Sequence, residues 1–168
     1  MNGTWLLNKQ LSDDLDPTFA AQGVPFILRK MLKFAGVRID MTEDLEASPA
    51  PTIHFKQIVS PGGFHTEEDY VLDAQYREGT VPIFGTISVQ ARFLPMSKLD
   101  DEGLRTQLEE GGTGDVVIEE KTTSKLGWEC RGIWGFEKID GERRFVRTNF
   151  TKKGGEQVTA KLVYDFRP

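Results

Sequence analysis

The chain has 168 residues, 38% of them hydrophobic, which suits one domain with one substantial core. Its net charge of −5 argues against the basic face that nucleic-acid binding requires, so no nucleic-acid partner is expected. The sequence has no apolar run long enough to span a membrane and no N-terminal secretory signal, and Cys130 is its only cysteine. We therefore expect a cytoplasmic protein without membrane contact.

The first forty residues predict one strand followed by two short helices. Thr4–Leu11 alternates as a strand, and Ser12 predicts the N-cap of the first helix. Gly23 suits the end of that helix, and Pro25 suits the start of the second. The second helix carries an apolar stripe of Ile27, Leu28, Met31, Leu32 and Ala35. Residues 13–35 are thus expected to form a helix-turn-helix lid.

From Val37 onward the pattern predicts consecutive β-strands. The predicted strands are Val37–Glu43, Thr52–Ser60, His65–Asp73, Ile83–Phe93, Asp115–Thr123, Trp128–Ile139, Arg144–Thr151 and Gln157–Phe166. Between them, 95–114 is expected to be a rim insertion with a helical piece, Leu99–Glu110. Evenly spaced antiparallel strands favour a mainly β fold: a single up-and-down barrel of 8–10 strands over 1–168, with room for one small ligand.

Several motifs occur in the order found in the calycin superfamily. Gly3-Thr4-Trp5 resembles the opening of its fatty-acid-binding-protein branch, and Gly23–Phe26 resembles the start of the second lid helix. Trp134–Gly141 resembles the hairpin before the penultimate strand, and Thr159–Tyr164 resembles the last strand. The resemblance covers most of the chain and implies a calycin barrel closed by the two-helix lid.

One departure from this family concerns the carboxylate clamp of its fatty-acid carriers, which consists of two arginines and a tyrosine. Tyr164 matches the tyrosine, but Leu162 stands at one arginine position and Phe136 lies near the other. Since an isolated tyrosine is a poor partner for an anion, fatty-acid carriage is disfavoured. Carriage of a neutral lipophilic molecule remains the alternative function.

A closer resemblance is to fungal calycin-like proteins of natural-product pathways, including semipinacolases and hetero-Diels–Alderases. It is carried by Ala35–Asp40, Trp134–Glu137, Gly141–Arg144 and Leu162–Asp165. It implies a cofactor-independent cyclase or isomerase that acts on a hydrophobic terpenoid, polyketide or alkaloid intermediate. A homodimer is compatible with the sequence.

Other kinds of chemistry lack their motifs. His54 and His65 have no further ligand at metal-binding spacing, and Cys130 has no identifiable base beside it. Gly111–Gly114 lacks the lysine of a phosphate-binding loop. We therefore expect neither a metal nor a cofactor.

Four residues are the catalytic candidates of the cyclase hypothesis. The resemblance implies a role for Arg38, and Arg131, Gln90 and Tyr164 could also donate a hydrogen bond or a proton. Arg38 could equally face solvent, and Arg131 could form an exposed ion pair with Glu129.

A second set of residues could line the substrate pocket. These substrate-binding candidates are Phe26, Phe55, Gln57, Trp128, Trp134, Phe136, Arg147 and Asn149. For the aromatic members, a purely core position is the alternative. Strand alternation groups the side chains by face but does not say which face points inward.

Overall fold

The structure, a computed structural model, describes residues 1–61 and 63–168, and this part of the chain forms ten strands and three α-helices. The first five strands are β1 (Gly3–Leu7), β2 (Gly36–Asp44), β3 (Thr52–Ser60), β4 (Phe64–Val71) and β5 (Arg77–Val81). The others are β6 (Gly85–Pro95), β7 (Val116–Ser124), β8 (Trp128–Ile139), β9 (Glu142–Lys153) and β10 (Glu156–Arg167). The helices are α1 (Asp16–Ala21), α2 (Phe26–Phe34) and α3 (Glu102–Glu110). Over the described ranges, no helix has the length and apolar character needed to cross a bilayer.

All ten strands belong to one antiparallel sheet that curls into a nearly closed barrel. The strand order is β4-β3-β2-β1-β10-β9-β8-β7-β6-β5, so all paired strands are neighbours in sequence except β1 and β10. The sheet edges are β4 and β5, and a cavity of about 440 Å³ lies between them. The predicted up-and-down barrel is confirmed, with β5 as an additional strand.

The barrel wall separates two hydrophobic clusters. Inside, Trp5, Trp134, Phe136 and Phe145 pack at ring distances of 5.5–6.4 Å, beside Tyr164. The outer cluster includes Leu104 and Leu108 of α3 together with wall residues Leu94, Val117, Ile133, Val146 and Val163. Strands β8, β9 and β10 are therefore buried on both faces where α3 covers them.

Two glycines allow this close approach of α3 to the wall. A Cβ atom at Gly111 would lie 2.1 Å from the carbonyl oxygen of Phe136, and one at Gly135 would lie 2.8 Å from the side chain of Leu108. Thr113 Oγ1 also exchanges hydrogen bonds with the backbone of Phe136. Residues 95–114 thus place α3 against the outside of β8.

The two lid helices have the predicted boundaries only in part. Gly23 ends α1 with φ of 82°, and α2 follows Pro25, as predicted. The predicted N-cap at Ser12 is wrong, since α1 begins at Asp16. Instead, the Ser12 hydroxyl accepts a hydrogen bond from the backbone N–H of Val163 at 2.9 Å. Ser12 therefore fastens the chain before the lid to β10.

The apolar stripe of α2 does not pack into the core as an amphipathic helix normally would. No residue of α2 is buried, and Ile27 and Met31 are 76% and 62% exposed. Of the stripe residues, only Leu32 and Ala35, which follows the helix, line the cavity. The lid therefore covers the barrel with an edge of α2 and leaves the rest of the stripe exposed.

Candidate active site

The barrel encloses a cavity of about 640 Å³ beneath the lid. Its lining combines lid residues with the inward faces of strands on both sides of the barrel. Six of the predicted site residues line it: Phe55, Gln57, Trp128, Arg147, Asn149 and Tyr164. This volume suits a small organic molecule.

Three further predicted pocket residues lie elsewhere. Trp134 is completely buried and forms the core directly below Arg147, and Phe136 packs deeper in the same cluster. Phe26 is 61% exposed on the outer side of α2. Trp134 thus supports the pocket, whereas Phe26 has no contact with it in this conformation.

Contrary to expectation, three catalytic candidates lie on the outer face of the barrel. Arg38 points outward because its neighbours Val37 and Ile39 point in, and its Nε donates to Asp40 at 3.0 Å. The side chain of Gln90 also points outward, since the neighbouring apolar residues of β6 face the interior. Arg131 forms an ion pair on the outer wall, with partners that differ from the expected Glu129. Its two partners are Glu119 at 2.7 Å and Asp100 at 2.8 Å.

The polar centre of the cavity is an ion pair between Arg147 of β9 and Glu120 of β7. Arg147 Nη2 donates to Glu120 Oε2 at 2.9 Å, and the guanidinium lies 4.5 Å above the Trp134 ring. Trp134 Nε1 donates to the same carboxylate oxygen at 3.1 Å, and Thr122 Oγ1 donates to the other at 3.0 Å. Arg147 Nε is buried without a protein partner among the described residues. Arg147 also lines the cavity, so its side chain can be reached by a ligand there.

The charges around this ion pair keep its neighbours in defined protonation states. Burial lowers the pKa of Arg147, but the charge of Glu120 outweighs that effect, so the pKa lies above its ordinary value. Burial raises the pKa of Tyr164, and the nearby Arg147 opposes this increase only in part. Burial, aided by Glu120 and Glu68, also raises the pKa of Tyr70, whose hydroxyl donates to Glu68 at 2.6 Å. The cavity thus contains a permanent cation and two phenols that remain hydrogen-bond donors.

The mouth of the cavity is held by contacts between the lid and the barrel. Arg29 of α2 pairs with Asp16 of α1 at 3.0 Å, which joins the two helices. Phe84 lies between Phe19 of the lid and Trp128 of the wall, at ring distances of 6.3 and 6.0 Å. These aromatic contacts hold the lid against the barrel wall beside the mouth.

No protein-family model matches the sequence. The chain is 35% identical over 170 residues to a protein of Mollisia scopiformis named "Probable pericyclase scpY", an alignment that covers 99% of this chain and 89% of that protein. The chain belongs to this pericyclase family. It is also 29% identical to the pericyclase pydY of an Acremonium species, over 97% of this chain and 89% of that protein.

The comparison of folds agrees with the predicted calycin barrel. The fatty-acid-binding protein 1 of Echinococcus granulosus superposes with a TM-score of 0.65 at 15% identity, over 100% of this chain and 98% of that one. At 15% identity, this likeness supports the fold alone. The activity is inferred from membership in the pericyclase family. The expected cyclase of a fungal pericyclase family is therefore confirmed.

Glu120, the partner of Arg147 in this pericyclase, is not among the site residues predicted from the sequence. The signal was present in β7, where Ile118, Glu120 and Thr122 alternate onto one face. A charged residue in phase with an apolar inward residue indicates a buried charge that needs a partner. Arg147, in phase with Phe145, gives the same signal on β9.

In the pericyclase, residue types that bind metals are dispersed. Over the described ranges, no three His, Cys, Asp or Glu side chains gather in a metal-binding arrangement. His54 faces outward and its Nδ1 lies 2.7 Å from Asp69. Cys130 lines the cavity, where burial raises the pKa of its thiol to about 11.

Proposed function

We propose that this protein is a cofactor-independent pericyclase that folds a hydrophobic, carbonyl-bearing intermediate of fungal secondary metabolism inside the barrel. The substrate would be a terpenoid, polyketide or alkaloid precursor with a conjugated chain. The observation that carries the proposal is the buried cation of Arg147, which lines an otherwise mostly apolar cavity beneath the lid. The cyclisation is an isomerisation: electron pairs move within the substrate, and no atom is gained or lost.

The walls of the cavity contribute to the rate by restricting conformation. A flexible chain rarely adopts the compact shape that brings its reacting carbons together, and most of that cost is entropic. Phe55, Tyr70 and Trp128 give the cavity large, rigid surfaces against which such a chain can fold. Holding the reactive conformer lowers the entropic part of the barrier and favours one stereochemical outcome.

Arg147 and Tyr164 contribute by binding the carbonyl oxygen of the substrate. A donor on that oxygen draws electron density out of the conjugated system, and negative charge increases on the oxygen as the new bonds form. A preorganised donor of this type is worth about 10²–10³ in rate. Glu120 fixes the guanidinium from its other side, so Arg147 does not need to reorganise during the reaction.

Arg147→Gln tests this function, and Arg38→Gln is its matched control because Arg38 lies outside the barrel. Each protein is incubated with conjugated carbonyl precursors that cyclise slowly by themselves, and rate and isomer ratio are measured by chromatography. The wild type should raise the rate and change the ratio relative to buffer. Arg147→Gln should lose about a hundredfold in rate, and Arg38→Gln should match the wild type.

Two results would overturn this proposal. Isomer ratios and rates equal to the buffer control, with ligand binding intact, would identify a carrier of neutral lipophilic molecules. An equal loss of rate in Arg38→Gln and Arg147→Gln would remove the special role of the cavity guanidinium.

We further propose that the enzyme works in the cytoplasm, where a reduced thiol is stable. The single cysteine, buried in the cavity as a neutral thiol, supports this setting. Fractionation of the producing cells with an antibody to this chain would test it, and recovery with secreted proteins would contradict it.

A further inference from the structure

Glu120 occupies the side of Arg147 on which an incoming carboxylate would otherwise bind. We propose that Glu120 is the specificity-determining residue of the cavity: as a built-in counter-ion, it excludes carboxylate ligands and leaves Arg147 available to neutral carbonyl compounds. The inference rests on the proposed function only in taking this cavity as the substrate site. It names the substrate class that the site accepts.

Burial and further hydrogen bonds hold the Arg147–Glu120 ion pair in place. The side chains of Arg147 and Glu120 are only 12% and 13% exposed, and Trp134 and Thr122 hold the two oxygens of Glu120 in place. A ligand would have to break three hydrogen bonds to displace this carboxylate. Because a buried charge without its partner is strongly unfavourable, displacement by a second carboxylate gains nothing.

Among the described lining residues contributed by the barrel strands, Arg147 is the only arginine or lysine. Glu68 adds a second carboxylate inside the barrel, next to Tyr70. Among the described residues around the mouth, Arg29 pairs with Asp16 and Lys33 pairs with Asp14. The remaining basic side chains on the described lining are Lys9, whose Nζ donates to the carbonyl of Lys33, and His65, while Asp13 adds a further carboxylate at the mouth. The interior therefore has one cation for two carboxylates.

A neutral carbonyl group can bind beside Arg147 without displacing Glu120. Its oxygen can accept from the guanidinium of Arg147, which lines the cavity, while the Glu120 pair stays intact. Such a ligand enters without the cost of desolvating a charge. The same arginine thus selects a neutral acceptor because its charge is already balanced.

Glu120→Gln tests the proposal through binding alone. The probes are dodecanoic acid and its methyl ester, which differ only in the charged group, and affinities are measured by titration calorimetry at pH 7. The wild type should prefer the ester. Glu120→Gln, with an unbalanced guanidinium, should increase the acid-to-ester affinity ratio by at least about tenfold.

The matched control is Glu119→Gln, which changes the adjacent residue on the outer face of the same strand. Its acid-to-ester ratio should equal that of the wild type. A ratio that rises equally in both variants, or that stays constant in a folded Glu120→Gln, would overturn the proposal. So would a wild type that binds the acid as tightly as the ester.

Arg147→Gln and the double variant Glu120→Gln/Arg147→Gln keep the test decisive if Glu120→Gln does not fold. The first should bind the acid more weakly than the wild type, and the second, without either charge, should recover acid binding relative to the first. A double variant that binds the acid no better than Arg147→Gln would contradict the proposal. Since no turnover is needed, these results are independent of the cyclisation assay.

Discussion

Glu119 and Glu120 are consecutive residues of β7 whose carboxylates lie on opposite sides of the barrel wall. Glu119 faces outward and accepts hydrogen bonds from Arg92 at 2.6 Å and from Arg131 at 2.7 Å. Glu120 faces inward and accepts from Arg147 at 2.9 Å. Because side chains alternate along a strand, one step in sequence separates a group that stabilises the wall from one that shapes the cavity. Substitutions at the two positions should therefore have separable effects.

Glu119→Gln should lower stability in a pH-dependent way. Burial raises the pKa of Glu119, but the hydrogen bonds from Arg131 and Arg92 outweigh burial and hold the pKa below its usual value. A depressed folded-state pKa stabilises the protein above the unfolded pKa of about 4.3, and this stabilisation is lost as the pH falls through the folded value. The variant should lose about 1–3 kcal/mol in urea unfolding at pH 7, and less at pH 3.5.

Glu129→Gln is the control for this measurement, since Glu129 is exposed on the adjacent strand. Its free energy of unfolding should stay within about 0.5 kcal/mol of the wild type at both values of pH. A loss in Glu119→Gln that grows toward acid pH would contradict the assigned direction of the pKa shift.

Tyr164→Phe should slow cyclisation because the phenol acts as a donor. Burial raises the pKa of Tyr164 above its usual value of about 10, so the hydroxyl stays protonated at every pH below that. Its contribution to kcat/KM should accordingly be constant from about pH 7 to pH 9. We expect a loss of about tenfold to a hundredfold in the variant.

Tyr76→Phe provides the comparison, because Tyr76 is 53% exposed outside the cavity and its loss should leave kcat/KM unchanged. If the wild-type rate instead rose with an apparent pKa below 9 and Tyr164→Phe abolished that rise, Tyr164 would act as a phenolate base. That result would exclude its role as a donor.

The sequence predicted most strands because their turns carry clear signals and their faces alternate. The bounds of β3 and β8 match the predicted Thr52–Ser60 and Trp128–Ile139. The strand that was missed, β5, has no such alternation: Arg77-Glu78-Gly79-Thr80 is exposed at the sheet edge. Edge strands pair on one side only, and their side chains need not follow the pattern of a core.

The site was harder to predict because α3 covers the outside of β8, β9 and β10. Phe145 and Val146 are both completely buried, one inside the barrel and one under α3. Because both faces of the strand are apolar there, the phase of Arg147 with Phe145 indicates a buried charge but not whether that charge lies inside the barrel or under α3. Arg38 was predicted from resemblance, whereas its alternation with the apolar Val37 and Ile39 already indicated an outward position.

Gly111→Ala should destabilise the packing of α3 against the barrel without changing the cavity. The added Cβ would lie 2.1 Å from the carbonyl oxygen of Phe136 and 2.4 Å from the Cα of Glu137, and these backbone atoms cannot move independently of β8. Overpacking of this kind costs about 3 kcal/mol, measured by urea unfolding. Gly103→Ala, within α3, is the control, because its Cβ would meet only the Asp101 side chain at 3.5 Å. There the free energy of unfolding is expected to rise by up to about 1 kcal/mol, because alanine favours the helix more than glycine does.

Cyclisation by folded Gly111→Ala should match the wild type, since α3 lies outside the barrel wall. Equal stability of the two alanine variants would contradict the close packing of Gly111 on β8.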